Sequence, residues 1–479
     1  MVTRYVWAPF MAASLTLGGC AARSSPTDPF DTVQKSVAEL GGHRIQWNRS
    51  SLADAEATNA VGRLFAQPLT SDAAVQIALL SNPSLQATYE DIGVAQADLV
   101  GAGLLRNPVF DATVLIPEGG VGATKLDLAV SANFLDVFQI PLRKRLAEGA
   151  LREAELKTAD AVLALAADVR QAHADAVAAQ QLLELRRHVH EAANTSADVA
   201  ARLRDAGNIT DLDLATEQAL AESAQLELSS AEAEVHTSRA RLGVLLGTAD
   251  DSWTLPARLP DAPDEQFSAS DLESTSLKRR LDVKAAEWRV RRAEQALGGA
   301  KRFGAIDEVE VGASGEREHD GEWSVGPNLA LPIPLFDQGQ ARIATARAEM
   351  RRSRAQRDAM VLNARAEVRT AAAQLDAARQ RVSRLRSTVL PLRTRIVEQT
   401  QLQYNAMHVG IFDLLRAKQD EIQAGADYIA ALREYWTARA KLERAAGGVL
   451  PGGTAPATQP NPAPTSMPAP ANPHEHHHH

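Results

Sequence analysis

The feature that most constrains this chain is a long internal repeat. Ala206-Gly207-Asn208-Ile209-Thr210-Asp211-Leu212-Asp213-Leu214 recurs as Ala406-Met407-His408-Val409-Gly410-Ile411-Phe412-Asp413-Leu414, with Ala, Asp and the final Leu identical and Ile209 matched by Val409. Ile140-Pro141-Leu142 likewise returns as Ile333-Pro334-Leu335. A period this long means one architectural unit built twice, so whatever fold one copy adopts the other must echo.

Each copy has the same order of signals. A helix of about two dozen residues, Pro83 to Leu105, is echoed by Leu281 to Arg302. A stretch of strand character follows, then a very long helical run, Leu142 to Leu203, echoed by Gln338 to Asn405. After a short break a second long helix returns, Asp211 to Leu246, echoed by Ile411 to Ala446. The runs are rich in Ala, Leu, Arg, Glu and Gln, the strongest helix formers. Val368, Ala372, Leu375, Ala378, Val382, Leu385, Val389, Leu392 and Ile396 are spaced by threes and fours, as are Ala161, Leu165, Val169, Ala172, Ala176, Ala179 and Leu183. That is a coiled-coil seam, and its alanines let backbones approach closely. A run of about 65 residues spans roughly 95–100 Å at 1.5 Å per residue, longer than a compact domain of this mass. Pro391 should remove a hydrogen bond and kink the second rod.

The strand segments have period two. Leu126, Leu128, Val130, Ala132 and Phe134 alternate with Lys125, Asp127, Ala129, Ser131 and Asn133, and Phe110, Ala112, Val114 and Ile116 form a partner strand. In the second copy Val309, Val311 and Ala313 alternate with Glu308, Glu310 and Ser314; Trp323, Val325, Leu329 and Leu331 alternate with Glu322, Ser324, Asn328 and Ala330. Turns are expected at Pro117-Glu118-Gly119-Gly120 and in the charged stretch from Gly315 to Gly321. Two hairpins, about 108–134 and 305–333, result, of strands about ten residues long. Such alternation suits a transmembrane β-barrel, the other reading being a half-buried hairpin packed on a helix. Four strands cannot close a barrel and open edges are not tolerated in lipid, so spanning hairpins require several protomers to share one barrel.

The N-terminus has a secretory pattern: Arg4, an apolar Tyr5–Leu17 stretch, then Leu17-Gly18-Gly19-Cys20. Small residues before Cys resemble a bacterial lipobox, which makes 1–19 a signal peptide and Cys20 the lipidation site. Ala21 after it suggests outer-membrane sorting by analogy with bacterial lipoproteins. Cys20 is the only cysteine, which excludes intrachain disulfides and Cys-based metal clusters. Elsewhere no apolar run is long enough for a spanning helix, so any crossing must be by strands. Residues 20–69 read as a lipidated extended arm, 70–254 as the first repeat, 255–270 as a proline-marked linker and 271–448 as the second repeat. The long helical hairpins fall at about 142–247 and 338–447. The Pro/Ala-rich 449–479 tail reads as disordered. Its closing His-rich run is either a metal-binding tail or a purification tag. A net charge of −9 argues against nucleic acid as a partner.

No metal-protease spacing, phosphate loop or nucleophile elbow is present, so neither catalytic residues nor a cofactor is expected. Thr210 to Asp213 is a capping box for the returning helix, and Asp413 stands similarly after Gly410. Met407 replaces Gly207, so Gly410 is expected to take the flexible position of the second turn. Met407 and His408 are soft-metal ligand types, yet one of each does not make a site, and no metal is expected. His173, His188 and His190 read as surface residues of one long helix. Lys125, Asp127, Glu308 and Glu310 on the polar strand faces are of mixed sign and imply a polar pore without clear selectivity.

With the lipobox, two repeats, one hairpin per repeat and these rods, the chain resembles the TolC family of outer-membrane efflux factors over Thr70 to Gly448. The matching motifs are Asn82-Pro83, Pro141-Leu142, Pro334-Leu335-Phe336 and the two helical tips. Tyr404-Asn405-Ala406-Met407 leading to Asp413-Leu414-Leu415 is closest to branches associated with heavy-metal and multidrug pumps of the RND type. The resemblance implies a mainly α protomer with a small β part: an internally duplicated chain of long coiled-coil helices that gives four strands to a shared 12-stranded barrel. It further implies a homotrimer in outer-membrane lipid, whose helical tube reaches into the periplasm toward a periplasmic adaptor (a membrane fusion protein) and an inner-membrane pump. It assigns adaptor contact and the entrance to Gly207, Asn208 and Ile209 and to Met407, His408, Val409 and Gly410. Asp213 and Asp413 would form carboxylate rings at the gate, favouring cations and raising one another's pKa. The chain would then be a passive channel opened at its tips, not an enzyme. A lipid-anchored periplasmic coiled-coil adaptor or scaffold, or the outer-membrane channel of type I protein secretion, is the alternative, and the substrate stays open between metal ion, drug and polypeptide.

Overall fold

The computed structural model describes residues 28–49, 51–116, 124–265, 267–306, 308–318 and 321–450. Cys20, the signal segment, the turn at 117–120 and the tail from 451 lie outside them. The described residues are dominated by helices. The first repeat contains α3 (Ser71–Ser81), α4 (Pro83–Ala102), β1 (Val109–Leu115), β2 (Lys125–Asn133), α5 (Asp136–Asp205) and α6 (Asp211–Leu246), preceded by α1 (Pro29–Gly41) and α2 (Leu52–Phe65). The second contains α7 (Ala269–Arg279), α8 (Leu281–Phe303), β3 (Glu310–Arg317), β4 (Trp323–Ala330), α9 (Gln340–Arg384), α10 (Leu390–Asn405) and α11 (Ile411–Ala445). The repeat thus extends one helix further than the sequence pattern shows, since α3 and α7 are counterparts ahead of α4 and α8. No described helix is long and apolar enough to cross a membrane.

Helix α5 is 70 residues long, which is about 105 Å at the α-helical rise. It starts six residues ahead of the expected Leu142 and runs through Pro141. The early start is held by Asp136 in the first turn, which accepts from Arg106 Nε and Nη2 at 2.9 Å each and lies 3.7 Å from Arg143. A carboxylate at a helix N-terminus is favoured by the macrodipole. In the second repeat Ile333-Pro334-Leu335 stays outside the helix, and α9 begins after Gly339.

The expected kink at Pro391 takes the form of a π-helical turn, Leu385–Val389, between α9 and α10. Pro391 has no N–H to give to the carbonyl four residues back, and widening the preceding turn absorbs the misfit without breaking the rod.

The segment from 20 to 69 is not an extended arm where it is described. Asp28-Pro29 is a helix start: Asp28 Oδ1 accepts from the Phe30 N–H at 3.1 Å, and Pro29 occupies the first turn, where its missing donor costs nothing. Helix α1 buries Phe30, Val33 and Val37, and Phe30 meets the fully buried Tyr89 edge-on at 5.1 Å. Helix α2 starts at Ser51 with Asp54 closing a capping box. The 255–270 linker lies along α5: the Leu259 N–H donates to Gln181 at 3.1 Å, and Leu255 and Leu259 are buried. The core gathers round the middle of α5, where Val162, Val169 and Val177 are fully buried against α1, α3 and α11.

His173 belongs to this core and not to the surface. Its Nε2 is 2.6 Å from the Leu69 carbonyl, and burial pushes its pKa below the ordinary histidine value. The sequence pattern missed it because His173 falls among alanines that pack on both sides of α5. His188 is exposed, as expected, and His190 is half-buried, 3.0 Å from the Asn194 amide.

Candidate functional site

The four strands form one antiparallel sheet in the order β1-β2-β3-β4, so the hairpins of the two repeats pair edge to edge through β2 and β3. The register sorts the side chains. Phe110 faces Val130, Ala112 faces Leu128 and Val114 faces Leu126. Val130 then faces Ala313, and Ala132 faces Val311. Val311 faces Leu329, and Gly315 faces Val325. Residues that oppose one another across an antiparallel pair lie on the same face of the sheet. One face is therefore apolar across all four strands, except for Arg317 opposite Trp323 at one end. The other carries Asp111, Thr113, Lys125, Asp127, Ser131, Glu310, Ser314, Glu316, Ser324 and Asn328.

The apolar face is not covered within the chain. Val325 is 78% exposed, and Phe110, Val114 and Leu329 are also exposed. β1 and β4 are edges with unpaired backbone groups. A half-buried hairpin packed on a helix would bury this face, so the geometry fits strands that meet lipid or a further copy.

On the polar face Lys125 forms an ion pair with Glu316 and lies 4.0 Å from Asp127. Glu316 escaped the sequence reading because Gly315 to Gly321 reads as a turn. Strand β3 in fact continues to Arg317, and the turn closes between Glu318 and Glu322, where the Glu318 N–H donates to the Glu322 carbonyl at 3.1 Å. The signal was the alternation of Val311, Ala313 and Gly315, masked because glycine carries no side chain to mark its face. Glu310 lies on the polar face, and Glu308 just precedes the strand.

At the opposite ends of the rods are the two tips. In the first, the Gly207 N–H donates to the Arg204 carbonyl at 2.8 Å and the Asn208 N–H to the Leu203 carbonyl at 2.8 Å. This is a Schellman ending, with Gly207 left-handed at φ 74°. In the second, the Met407 N–H donates to Tyr404 and the His408 N–H to Gln403, both at 2.9 Å. Met407 takes the left-handed position at φ 62°, the only non-glycine among the described residues with positive φ. The expectation that Gly410 would supply this freedom is wrong: Gly410 is extended, φ −78° and ψ 167°, and is the N-cap of α11. The hydrogen-bond pattern of the turn fixes which residue must be left-handed, and that residue is two before the cap's own predecessor, whatever its side chain. Ile209 and Val409, just ahead of each cap, are half-buried and stand five positions before Leu214 and Leu414, the N′-to-N4 spacing of a hydrophobic staple.

Both tip aspartates are caps. The Thr210 N–H and hydroxyl donate to Asp213 Oδ2 at 2.9 and 2.7 Å, and the Asp213 N–H donates back to Thr210 Oγ1 at 3.2 Å. The hydrogen bonds from Thr210 hold the Asp213 carboxyl below the usual carboxylate range, opposite in direction to a crowded ring. Asp413 Oδ2 accepts from the Gly410 N–H at 3.1 Å. Asn208, Met407 and His408 are exposed beyond them, Met407 at 93%.

Known proteins share this arrangement. The model of the family described as outer membrane efflux protein matches residues 74–248 and 272–448, one match per repeat. The chain is 25% identical over 396 residues to the cobalt-zinc-cadmium resistance protein CzcC of Cupriavidus metallidurans, covering 80% of this chain and 91% of the relative. In structure it is similar to the CmeC outer membrane channel of Campylobacter jejuni, with a TM-score of 0.67 at 17% identity over 79% of this chain and 85% of that one. A membrane protein from Pseudomonas aeruginosa gives a TM-score of 0.64 at 24% identity, over 81% and 93%.

Proposed function

The chain belongs to the outer membrane efflux protein family, and on that premise we propose that three copies close one passive channel, opened at its helical tips. The observation that carries this is the four-stranded sheet with one continuous apolar face and two open edges. Edge-to-edge joining of three such sheets makes a 12-stranded barrel with apolar residues toward lipid and Lys125, Asp127 and Glu316 toward the lumen. The rods, about 100 Å long, then form a tube on the periplasmic side. At its far end Gly207, Asn208 and Ile209, and Met407, His408, Val409 and Gly410, meet a periplasmic adaptor, which links the channel to an inner-membrane pump. Asp213 and Asp413 ring the aperture. Cys20 carries the lipid that anchors the outer end.

Single-channel recording of the reconstituted protein tests this. Stepwise conductance is expected. A bilayer that stays silent even with Asp213→Asn and Asp413→Asn would overturn the reading. A Cys20→Ser variant should remain membrane-embedded, because the strands hold it; release into the soluble fraction would point to a lipid-anchored scaffold.

A further inference from the structure

The apolar face of the sheet does not stop where the strands do. Phe134 follows Leu128, Val130 and Ala132 at the same alternation, and its N–H still donates to the Val309 carbonyl at 2.8 Å. Its ring meets that of Phe138, in the first turn of α5, edge-on at 5.5 Å. Both rings are more than half exposed. Beyond Phe138 the exposed residues Pro141, Lys144 and Arg145 follow by threes and fours, so they stay on its side of the helix. Arg145 is seven positions on, about 10 Å along the axis.

Helix α8 brings further charge to this level. A Cβ on Gly299 would meet the Leu142 side chain, and one on Gly149 would meet Arg292, so the two helices run antiparallel and in step. Lys301 and Arg302, in the last turn of α8, therefore stand level with Gln139 and Ile140. Lys144, Arg145, Lys301 and Arg302 are all exposed, and among the described residues none forms an ion pair. The acids here do not answer them. Asp136 is held by Arg106 and Arg143, Asp337 lies 3.9 Å from Arg342, Glu308 shares the polar alternation of Glu310, and Glu148 stands a turn deeper. Neither is the charge imposed by the repeat: after the shared Ile-Pro-Leu the first copy reads Arg143-Lys144-Arg145 and the second Phe336-Asp337-Gln338. Helix α5 leaves β2 and α8 enters β3, so the four cations lie beneath the inner strands, clear of the β1 and β4 edges.

We propose that this patch binds the headgroups of anionic phospholipid in the periplasmic leaflet, with Phe134 and Phe138 at the acyl boundary and Lys144, Arg145, Lys301 and Arg302 on the phosphates. The polar layer of one leaflet is roughly 5–8 Å thick. The cations spread over about 8 Å of helix, and their long side chains reach further. Aromatic rings favour the boundary above them. The proposal rests on the reading that the strands cross the outer membrane, and adds which lipid the chain selects and where.

The test uses the full-length protein in phosphatidylethanolamine vesicles, with spin-labelled phosphatidylglycerol and phosphatidylcholine as probes of the lipid immobilised at its surface. At low salt wild type should favour the anionic probe about fivefold, the effect of a single well-placed cation. Lys144→Gln, Arg145→Gln, Lys301→Gln and Arg302→Gln together should bring the preference below about twofold. Arg384→Gln with Arg395→Gln, far down the rods, should leave it at the wild-type value. Immobilised phosphatidylcholine, unchanged in both variants, shows that each has folded into the bilayer. If wild type immobilises lipid without preferring either headgroup, or if the two variants keep equal preference, this inference alone is overturned. Loss of the preference on adding millimolar inorganic phosphate would also overturn it, by showing a phosphate site in place of a leaflet contact. If neither probe is immobilised by wild type, the membrane-crossing reading itself falls.

Discussion

Met407 holds, in the second tip, the left-handed backbone position that Gly207 holds in the first, and both donate to the carbonyl three residues back. A side chain beyond glycine costs roughly 1–2 kcal/mol in that conformation. Met407→Gly should therefore stabilise the second tip by about 1 kcal/mol once the freedom glycine regains in the unfolded chain is subtracted. Gly207→Met should destabilise the first by a similar amount. Hydrogen exchange of the 203–210 and 403–410 amides measures both, and equal protection in Met407→Gly and wild type would refute the strain.

Thr210→Ala removes the helix cap and the hydroxyl that donates to Asp213, while the backbone N–H at 210 still donates to the carboxylate. The cost should be about 1 kcal/mol, seen as faster exchange in the first turn of α6. Asp213 has its folded pKa lowered, so its contribution is complete above the ordinary carboxylate value and is lost as pH falls through the folded value. Protection of this turn, corrected for intrinsic exchange, should fall on acidification in wild type and fall less in Thr210→Ala, where only the backbone N–H still lowers the Asp213 pKa.

His173 is buried neutral, and His43 shares the direction of shift through burial and the nearby Arg170 guanidinium. Both folded values lie below the unfolded one, so their contribution is full above about pH 6.5 and declines as the unfolded chain takes up protons below it. Thermal midpoints should drop between about pH 7 and 5.5 in this window. His43→Gln with His173→Gln should flatten that slope; an unchanged slope would exclude these histidines as its source.

Glu153 is buried on α5, where Lys157, Arg289 and Arg292 lie 2.8, 2.7 and 3.0 Å from it. These charges lower its pKa against the opposing effect of burial. Glu153→Ala leaves three cations facing one another, and a loss of about 3 kcal/mol is expected in denaturant unfolding. Glu153→Gln should recover part of it by keeping the hydrogen bonds.

Val130 and Ser131 are adjacent on β2 and lie on opposite faces of the sheet. Val130→Lys should cost about 2–4 kcal/mol of insertion if it meets the bilayer interior, whereas Ser131→Lys should fold into vesicles like wild type. Equal folding yields would contradict the assigned faces.

Much of this was legible in the residues. Periods of two and of three to four separate strands from rods because each period decides which side chains share a face, and a lone chain carries that information locally. The α6 boundaries and the Thr210–Asp213 box follow from capping chemistry alone. Helix α1 could have been read the same way, from Asp28-Pro29 and from Phe30, Val33, Val37 and Leu40 spaced by threes and fours.

Sequence by itself determined the duplication, the strand faces, the rods and the capping of α6. Tertiary structure decided what depends on partners far along the chain. His173 is buried only because Leu69 comes to it. Asp136 extends α5 only because Arg106 reaches it. Helix α5 of the first repeat packs on α11 of the second because of how rods of the two repeats cross. Local pattern sets which face of a helix is apolar, and only packing sets which helix, in this chain or the next, covers it.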